Sequence, residues 1–270
     1  MTDSKFIEVV KNYYTKHGRD LPWRHVTDTQ FAYYVYISEM MLQQTQVSRV
    51  VEKFSVWIQL FPTIDSVANA TLADIMAAWN GLGYNRRARY VYVAARTIQQ
   101  QYGGVLPRTI TELSSLPGVG PNTAAAILVY AYNQPHVFIE TNIRSVFIYH
   151  YFKNKDVVTD KDILNKVAST LDDKNPREWY WALMDYGSYL KRKGLGNNTK
   201  SKTYKKQANF TGSIRQLRGK IIALLIIEPK TISQLKDYTN SDQRLDTVLE
   251  ALIKERLIAR TGRYYKIAQD

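Results

Sequence analysis

Apolar residues recur at helical spacing through the first part of the chain, with turn residues marking the breaks. Phe31 to Phe54 predicts a long amphipathic helix, with Asp28 or Thr29 available to cap it, and Pro62-Thr63 opens the segment that follows. Leu72 to Trp79 predicts a further helix, which Gly81-Leu82-Gly83-Tyr84 interrupts. Arg86 to Tyr102 resumes the pattern, and Gly103-Gly104 ends it. Thr111 to Leu116, opened by a Thr cap, and Asn122 to Tyr132 predict two helices joined by the tight turn Pro117-Gly118-Val119-Gly120. Almost nothing before residue 255 alternates with period two, so this part is expected to be nearly all helix.

The pattern changes after Met184-Asp185-Tyr186-Gly187. From Lys191 to Lys220 the chain carries ten basic residues, Lys205 and Lys206 among them, and no Asp or Glu. Residues 194–212 are poor in large aliphatics and read as a flexible basic linker, either a solvated tail or a phosphate contact. Residues 213–270 read as a separate module. Ile214 to Ile227 is a helix stopped by Pro229, Thr231 to Tyr238 a second, and Ser241 to Lys254 a third with Leu245, Val248, Leu249 and Leu252 on one face. A strand–turn–strand pattern over 257–267 completes it. Three helices and a hairpin resemble a winged helix-turn-helix. Such a module would bind duplex DNA through Gln243 and Arg244 of the third helix and through Arg260 and Arg263 of the wing, or dock a protein.

Composition narrows the partners. The chain has 270 residues, 45% of them hydrophobic, and a formal charge of +13, which points to a polyanion, nucleic acid before membrane. No apolar run approaches the roughly 20 residues of a membrane span. The polar N-terminus predicts no signal peptide. There are no cysteines, which excludes disulfides and thiolate metal sites. The four histidines lack ligand spacing, so no metal hydrolase is expected.

Two stretches carry candidate chemistry. The turn at Gly118, Val119 and Gly120 leaves backbone N–H groups free at the start of the next helix, where the dipole also favours an anion. It is either an ordinary packed turn or a phosphate grip. Glu39, within Ser38 to Gln46, shares a helix face with Val35, Tyr36, Leu42 and Gln43. A carboxyl in that company is desolvated and keeps its proton more readily, as a general acid must. The plainer reading ties it to a nearby hydroxyl or amide.

Leu21-Pro22-Trp23-Arg24, SEMMLQQTQV (38–47), GLGYNRRAR (81–89) and LPGVGPNTAAAI (116–127), in this order, resemble the helix-hairpin-helix DNA glycosylases, and within them the adenine-excising branch. The resemblance covers roughly residues 20–190. It implies an all-α, two-lobed helix-hairpin-helix fold followed here by the small winged-helix-like α+β module. The glycosylase domain would be 1–193, with a six-helix lobe at about 27–135 and a second lobe from 1–26 plus 136–193. It further implies a monomer that binds double-stranded DNA at a mismatch or lesion and flips a nucleotide into a pocket. By position, Glu39 matches the acid that protonates the departing purine, Gln44 the wedge, and Tyr84 the intercalating tyrosine. Gly118, Val119 and Gly120 match the phosphate-gripping turn, whose backbone would also hold a monovalent cation. Trp23, Arg24 and Asn122 fall near the base pocket, and Arg86, Lys191 and Arg192 on the DNA side. Tyr84 as a packed aromatic and Gln44 as a surface amide remain the plain alternatives.

Three departures qualify the resemblance. In Phe138-Ile139-Glu140-Thr141-Asn142-Ile143 the family's aspartate position holds Glu140, whose carboxylate would stabilise the cationic sugar or bond to it. An extra methylene displaces that carboxylate enough to disturb a near-attack geometry, and Ser145 stands where an arginine usually follows, with Arg144 one position early. Asn122 replaces the lysine of strand-cleaving relatives, so lyase chemistry is not expected. Lys191 takes the place of the first of four cluster cysteines, so no iron–sulfur cluster and no other cofactor are expected, and no domain for recognising 8-oxoguanine is evident. The expected function is hydrolysis of an N-glycosidic bond, with adenine opposite 8-oxoguanine or guanine as the first substrate. The alternatives are a thymine or uracil mismatch glycosylase and a lesion-binding protein impaired at Glu140. The expected location is the bacterial cytoplasm at the nucleoid, or a eukaryotic nucleus.

Overall fold

The computed structural model describes residues 1–25, 29–204 and 209–269. Asp28, Lys205 and Lys206, singled out above, lie outside them. The helices are α1 (Asp3–His17), α2 (Phe31–Leu42), α3 (Val47–Leu60), α4 (Ile64–Asn69), α5 (Leu72–Trp79), α6 (Arg86–Tyr102), α7 (Ile110–Ser115), α8 (Pro121–Tyr132), α9 (Thr141–Tyr151), α10 (Asp160–Ser169), α11 (Pro176–Arg192), α12 (Ile214–Ile227), α13 (Ile232–Tyr238) and α14 (Leu245–Lys254). Strands β1 (Lys230–Thr231), β2 (Ile258–Thr261) and β3 (Tyr264–Ile267) form one antiparallel sheet in the order β1-β3-β2. The fold is therefore all-helical up to a small mixed C-terminal module, as the pattern predicts.

Local chemistry sets the helix ends. Thr63, Thr71, Thr159 and Thr231 each open a helix with a capping box, in which the Thr side chain and the third helical residue satisfy one another's backbone N–H. Gly103 ends α6 in the left-handed region, φ +60°. The predicted single helix over Phe31–Phe54 is two. It breaks where Gln44 adopts φ +58°, and α3 starts only at Val47. The third helix of the C-terminal module begins at Leu245, four residues later than its apolar pattern suggests, because Asn240 and Ser241 both take positive φ. The short β1 was not foreseen.

The chain divides into two compact units. One comprises Met1–Tyr36, Arg108–Ser115 and Val119–Lys206, the other Ile37–Pro107, Leu116–Gly118 and Gln207–Asp270. In the first, α11 packs on α9, α1 and α8. Its core is aromatic: Phe6 meets Phe147 at 5.0 Å and Trp179 edge-on at 6.0 Å, and Phe138 stacks on Tyr180 at 4.2 Å. A Cβ on Gly187 would stand 2.2 Å from the Asn142 carbonyl oxygen, so glycine is what lets α11 lie against the start of α9.

Part of the predicted linker belongs to this unit. Val158 donates to the Lys200 carbonyl (2.9 Å) and accepts from the Lys202 N–H (3.0 Å), and Asn198 donates to the Thr141 carbonyl (3.3 Å). These bonds satisfy backbone that a free tail would leave to water, so residues 195–204 are docked. In the second unit α6 packs on α4 and α5, with Trp57 edge-on to Trp79 at 5.6 Å. Helix α12 of the C-terminal module packs on α5 of the same unit. No helix among the described residues is long and apolar enough to cross a membrane.

Candidate functional site

The second unit gathers Glu39, Gln44, Gly118, Tyr84 and Arg86 from the sequence motifs. Glu39 is half-buried near the end of α2, between buried Ser38 and Met40. The turn after it and the Gly81–Tyr84 loop are fastened together by one residue that sequence reasoning missed. Arg87 is buried, and its guanidinium donates to the carbonyls of Met40 (2.8 Å), Met41 (2.7 Å), Leu82 (3.3 Å) and Gly83 (3.1 Å) and to the Thr45 hydroxyl (2.9 Å). Burial pulls its pKa down to about 10, so it is still charged at neutral pH. It thereby closes α2's open carbonyls and fixes the loop. Its only sequence signal is an arginine set beside Ala88 and Val91 on the apolar face of α6.

Gln44 and Tyr84 flank this clasp, both on left-handed backbone, with φ of +58° and +48°. Such a conformation is uncommon for residues with a Cβ and is held here by its surroundings. Gln44 is exposed. Tyr84 is half-buried, with the Arg87 guanidinium 5.5 Å from its ring centroid and that of Arg215 at 5.4 Å. Arg215 also donates to the Tyr84 hydroxyl (2.5 Å). Arg86 pairs with Glu255, which also binds Arg218. Burial pushes the Glu255 carboxyl upward, but hydrogen bonds from the two arginines outweigh it and hold the pKa below its ordinary value. Neither Arg215 nor Glu255 was foreseen, since nothing in the sequence brings residues so far apart together.

The turn after α7 is built as its glycines require. Gly118 has φ +78°, and a Cβ there would fall 2.6 Å from the Tyr90 ring and 2.9 Å from Met40. The Gly118 carbonyl accepts from Gln43 Nε2 at 3.1 Å. Val119 is buried. Gly120 caps α8 with extended backbone and makes no side-chain cap bond, and a Cβ on Gly120 would meet open space. Helix α7 starts at Ile110, one residue early, because Thr109 rather than Thr111 accepts from the Glu112 N–H.

The first unit holds Trp23, Arg24, Asn122, Glu140, Lys191 and Arg192. Glu140 occupies the cap position of α9 without a side-chain cap bond. It is half-buried by area, and burial of the carboxyl pushes its pKa up to about 7. Arg144, one turn on, pairs with Asp160 (3.0 Å), and buried Ser145 donates to the Thr141 carbonyl. Asn122 is exposed and donates to the Ile139 carbonyl at 3.4 Å, next to Glu140. Arg24 is paired: its two terminal nitrogens meet both oxygens of buried Asp185 at 2.9 Å, and its guanidinium lies 5.2 Å from the Trp181 ring. Arg19 binds the same carboxylate through its backbone N–H and Nε, each at 2.7 Å. Burial raises the Asp185 pKa, and its bonds and charges from Arg24 and Arg19 more than reverse that. Trp23 is buried. Lys191 and Arg192 are exposed at the end of α11.

The family resemblance implies an iron–sulfur cluster after α11, and the residues present do not fit one. Its ligands are thiolates, and the chain has no cysteine. Among the described residues no three His, Asp or Glu side chains group to hold a metal ion.

Residues 37–171 match the family described as HhH-GPD superfamily base excision DNA repair protein. The chain is 32% identical over 271 residues to the adenine DNA glycosylase of Mycolicibacterium smegmatis, covering 93% of this chain and 92% of that protein. It is 34% identical over 195 residues to the adenine DNA glycosylase of Buchnera aphidicola subsp. Baizongia pistaciae, covering 70% of this chain and 54% of that protein. The chain thus spans about half the Buchnera relative and nearly all of the mycobacterial one. Among solved structures, a thermostable thymine-DNA glycosylase superposes with a TM-score of 0.61 at 24% identity, over 69% of this chain and 86% of that one, a likeness of fold alone.

Proposed function

We propose, for a chain that belongs to the HhH-GPD superfamily of base excision DNA repair proteins, that it hydrolyses the N-glycosidic bond of a mispaired base in duplex DNA and leaves the strand intact. Adenine opposite 8-oxoguanine or guanine is the first substrate. The observation that carries this reading is the arrangement within one unit. A half-buried acid, Glu39, sits on the helix whose end is clasped by Arg87 to the loop that presents Tyr84, with Gln44 beside it.

In this reading Glu39 donates its proton to the departing purine, so the base leaves neutral while the C1′–N bond breaks. The sugar carries the resulting positive charge, which the Glu140 carboxylate stabilises until water adds at C1′ and loses a proton. Asn122, in the place of an amine, supports hydrolysis without strand cleavage, because no Schiff base forms on an amide. The protein acts as a monomer on mismatched or damaged DNA, in a bacterial nucleoid or a nucleus.

Base release from labelled duplexes tests it. Substrates carry A opposite 8-oxoguanine, A opposite G, T opposite G or U opposite G, followed by alkaline cleavage of abasic sites. Release of adenine, abolished in Glu39→Gln with DNA binding kept, is the expected result. Release of thymine or uracil instead reassigns the base. Tight lesion binding with no release would overturn the enzyme reading in favour of a binding protein.

A further inference from the structure

Within the second unit, the turn after α2, the Tyr84 loop and the first two turns of α12 line a cleft of about 800 Å³. That volume falls in the range that encloses a ligand of nucleotide size. Its charge is one-sided: Arg49, Arg86, Arg87, Arg215, Arg218 and Lys220 face a single carboxylate, that of Glu255. Glu255 is clasped by Arg86 and Arg218, so an anion already sits where two guanidiniums converge. Beside them, Arg215 holds the Tyr84 hydroxyl and lies over its ring.

The third helix, which a winged helix normally presents to DNA, is less suited here. The exposed face of α14 carries Asp246 and Glu250, and Arg244 before it is tied to Asp242 and to the Gly212 carbonyl. Besides the hairpin arginines Arg260 and Arg263, α12 carries the cations Arg215, Arg218 and Lys220, and these line the cleft.

We propose that this cleft is a nucleotide subsite in which α12 of the C-terminal module takes part in DNA recognition. An unpaired base lies against Tyr84, as the family resemblance already implies, and the new element is that its flanking phosphates displace Glu255 from Arg86 and Arg218 and reach Lys220. An aromatic face with guanidiniums around it suits a base and its phosphates, since stacking tolerates any base and the cations answer the backbone. Glu255 keeps the arginines paired until a phosphate competes for them. The subsite rests on the reading of DNA as substrate, but it is read out by binding and not by turnover.

The test is fluorescence anisotropy of the full chain with a labelled duplex holding one nucleotide opposite a tetrahydrofuran abasic analogue, beside the same duplex fully paired. The double variant Arg215→Ala/Lys220→Ala is expected to weaken binding of the first duplex about tenfold and of the paired duplex less than about threefold. Glu255→Gln is expected to tighten binding of the first duplex about threefold or more, a gain that a folding defect does not produce. Equal losses on both duplexes, or Glu255→Gln binding no tighter than wild type, would overturn the subsite. Displacement of the abasic duplex by millimolar dGMP as readily as by unlabelled duplex would overturn its assignment to DNA. Base release is measured in parallel on wild type. Its absence counts against the functional reading alone, and normal release with unchanged binding in both variants counts against the subsite alone.

Discussion

Arg87 donates to the Thr45 hydroxyl at 2.9 Å, and Thr45 in turn donates to the Leu82 carbonyl at 3.2 Å. One buried guanidinium therefore ties together two turns that lie forty residues apart in the chain, those of Gln44 and Tyr84. Losing it takes the guanidinium donors from the Met40 and Met41 carbonyls at the end of α2, while the Leu82 and Gly83 carbonyls keep only their bonds from Thr45 and Trp79. Arg87→Ala is expected to cost about 3 kcal/mol or more, read as a lowered midpoint in urea unfolding. Arg87→Lys recovers only part of this, because an ammonium has three donors for five acceptors. Unchanged stability in Arg87→Ala would refute the clasp.

Glu140 makes the pH dependence specific. Its carboxyl is raised to about 7 by burial, and only the ionised form stabilises a cationic sugar. Single-turnover base release is expected to climb with pH up to about 7, the range over which Glu140 ionises. The stability effect has the opposite sign. A carboxyl whose folded pKa lies above its unfolded value binds the proton more tightly in the folded state, so stability falls as pH rises from about 4.5 to about 7. Glu140→Gln removes the ionisation and is expected to raise the melting temperature at pH 8 more than at pH 5. An equal change at both values would show that the carboxyl is not desolvated.

Glu140→Asp restores the residue that the family resemblance places there. A gain in release rate is expected if the longer side chain misplaces its carboxylate, since a shift near an ångström costs rate steeply. A loss in rate would mean that the pocket is shaped to glutamate.

Asp185 is fully enclosed and accepts from both Arg19 and Arg24, joining the N-terminal segment to α11. Asp185→Asn leaves Arg24 buried without its counter-charge, and a cost of about 3–5 kcal/mol in thermal unfolding is expected. Because the carboxyl sits below its ordinary pKa, its contribution is complete above about pH 4 and is lost as pH falls through the depressed folded value. Near-wild-type melting of Asp185→Asn would return Arg24 to the list of free pocket residues.

Gly118→Ala sets a Cβ against Tyr90 and Met40 and forces alanine into φ +78°. A loss of about 1–3 kcal/mol is expected, with weaker DNA binding by anisotropy. Gly120→Ala, which meets open space at φ −87°, is the matched control and should fold as wild type.

Much of this protein was legible in its sequence, for physical reasons that are local. The 3.6-residue recurrence of apolar positions gives α5, α6, α8 and the C-terminal helices, because a helix must bury one stripe. Threonines three residues before Ser66, Asp74, Asp162 and Gln234 mark helix starts, because capping is settled within one turn. The linked motifs around Glu39, Tyr84 and Gly118 give the family. What the sequence misstated is equally physical. Phe31 to Phe54 has an unbroken helical pattern, yet the helix stops at Leu42, where Gln44 turns to φ +58° and Arg87, far along the chain, binds the Met40 and Met41 carbonyls. Residues 195–204 have the composition of a free tail, yet Val158 and Thr141 supply hydrogen bonds that dock them. That Arg24 pairs with buried Asp185 is likewise visible only in the fold. Pairing between distant residues depends on which surfaces the packed helices bring together, and no local pattern encodes that. So the sequence by itself determined most of the elements and the family, and it supplied the expectation that Glu39 is the acid. Tertiary structure alone decided that Arg87 clasps the site and that α12 turns its arginines toward Tyr84.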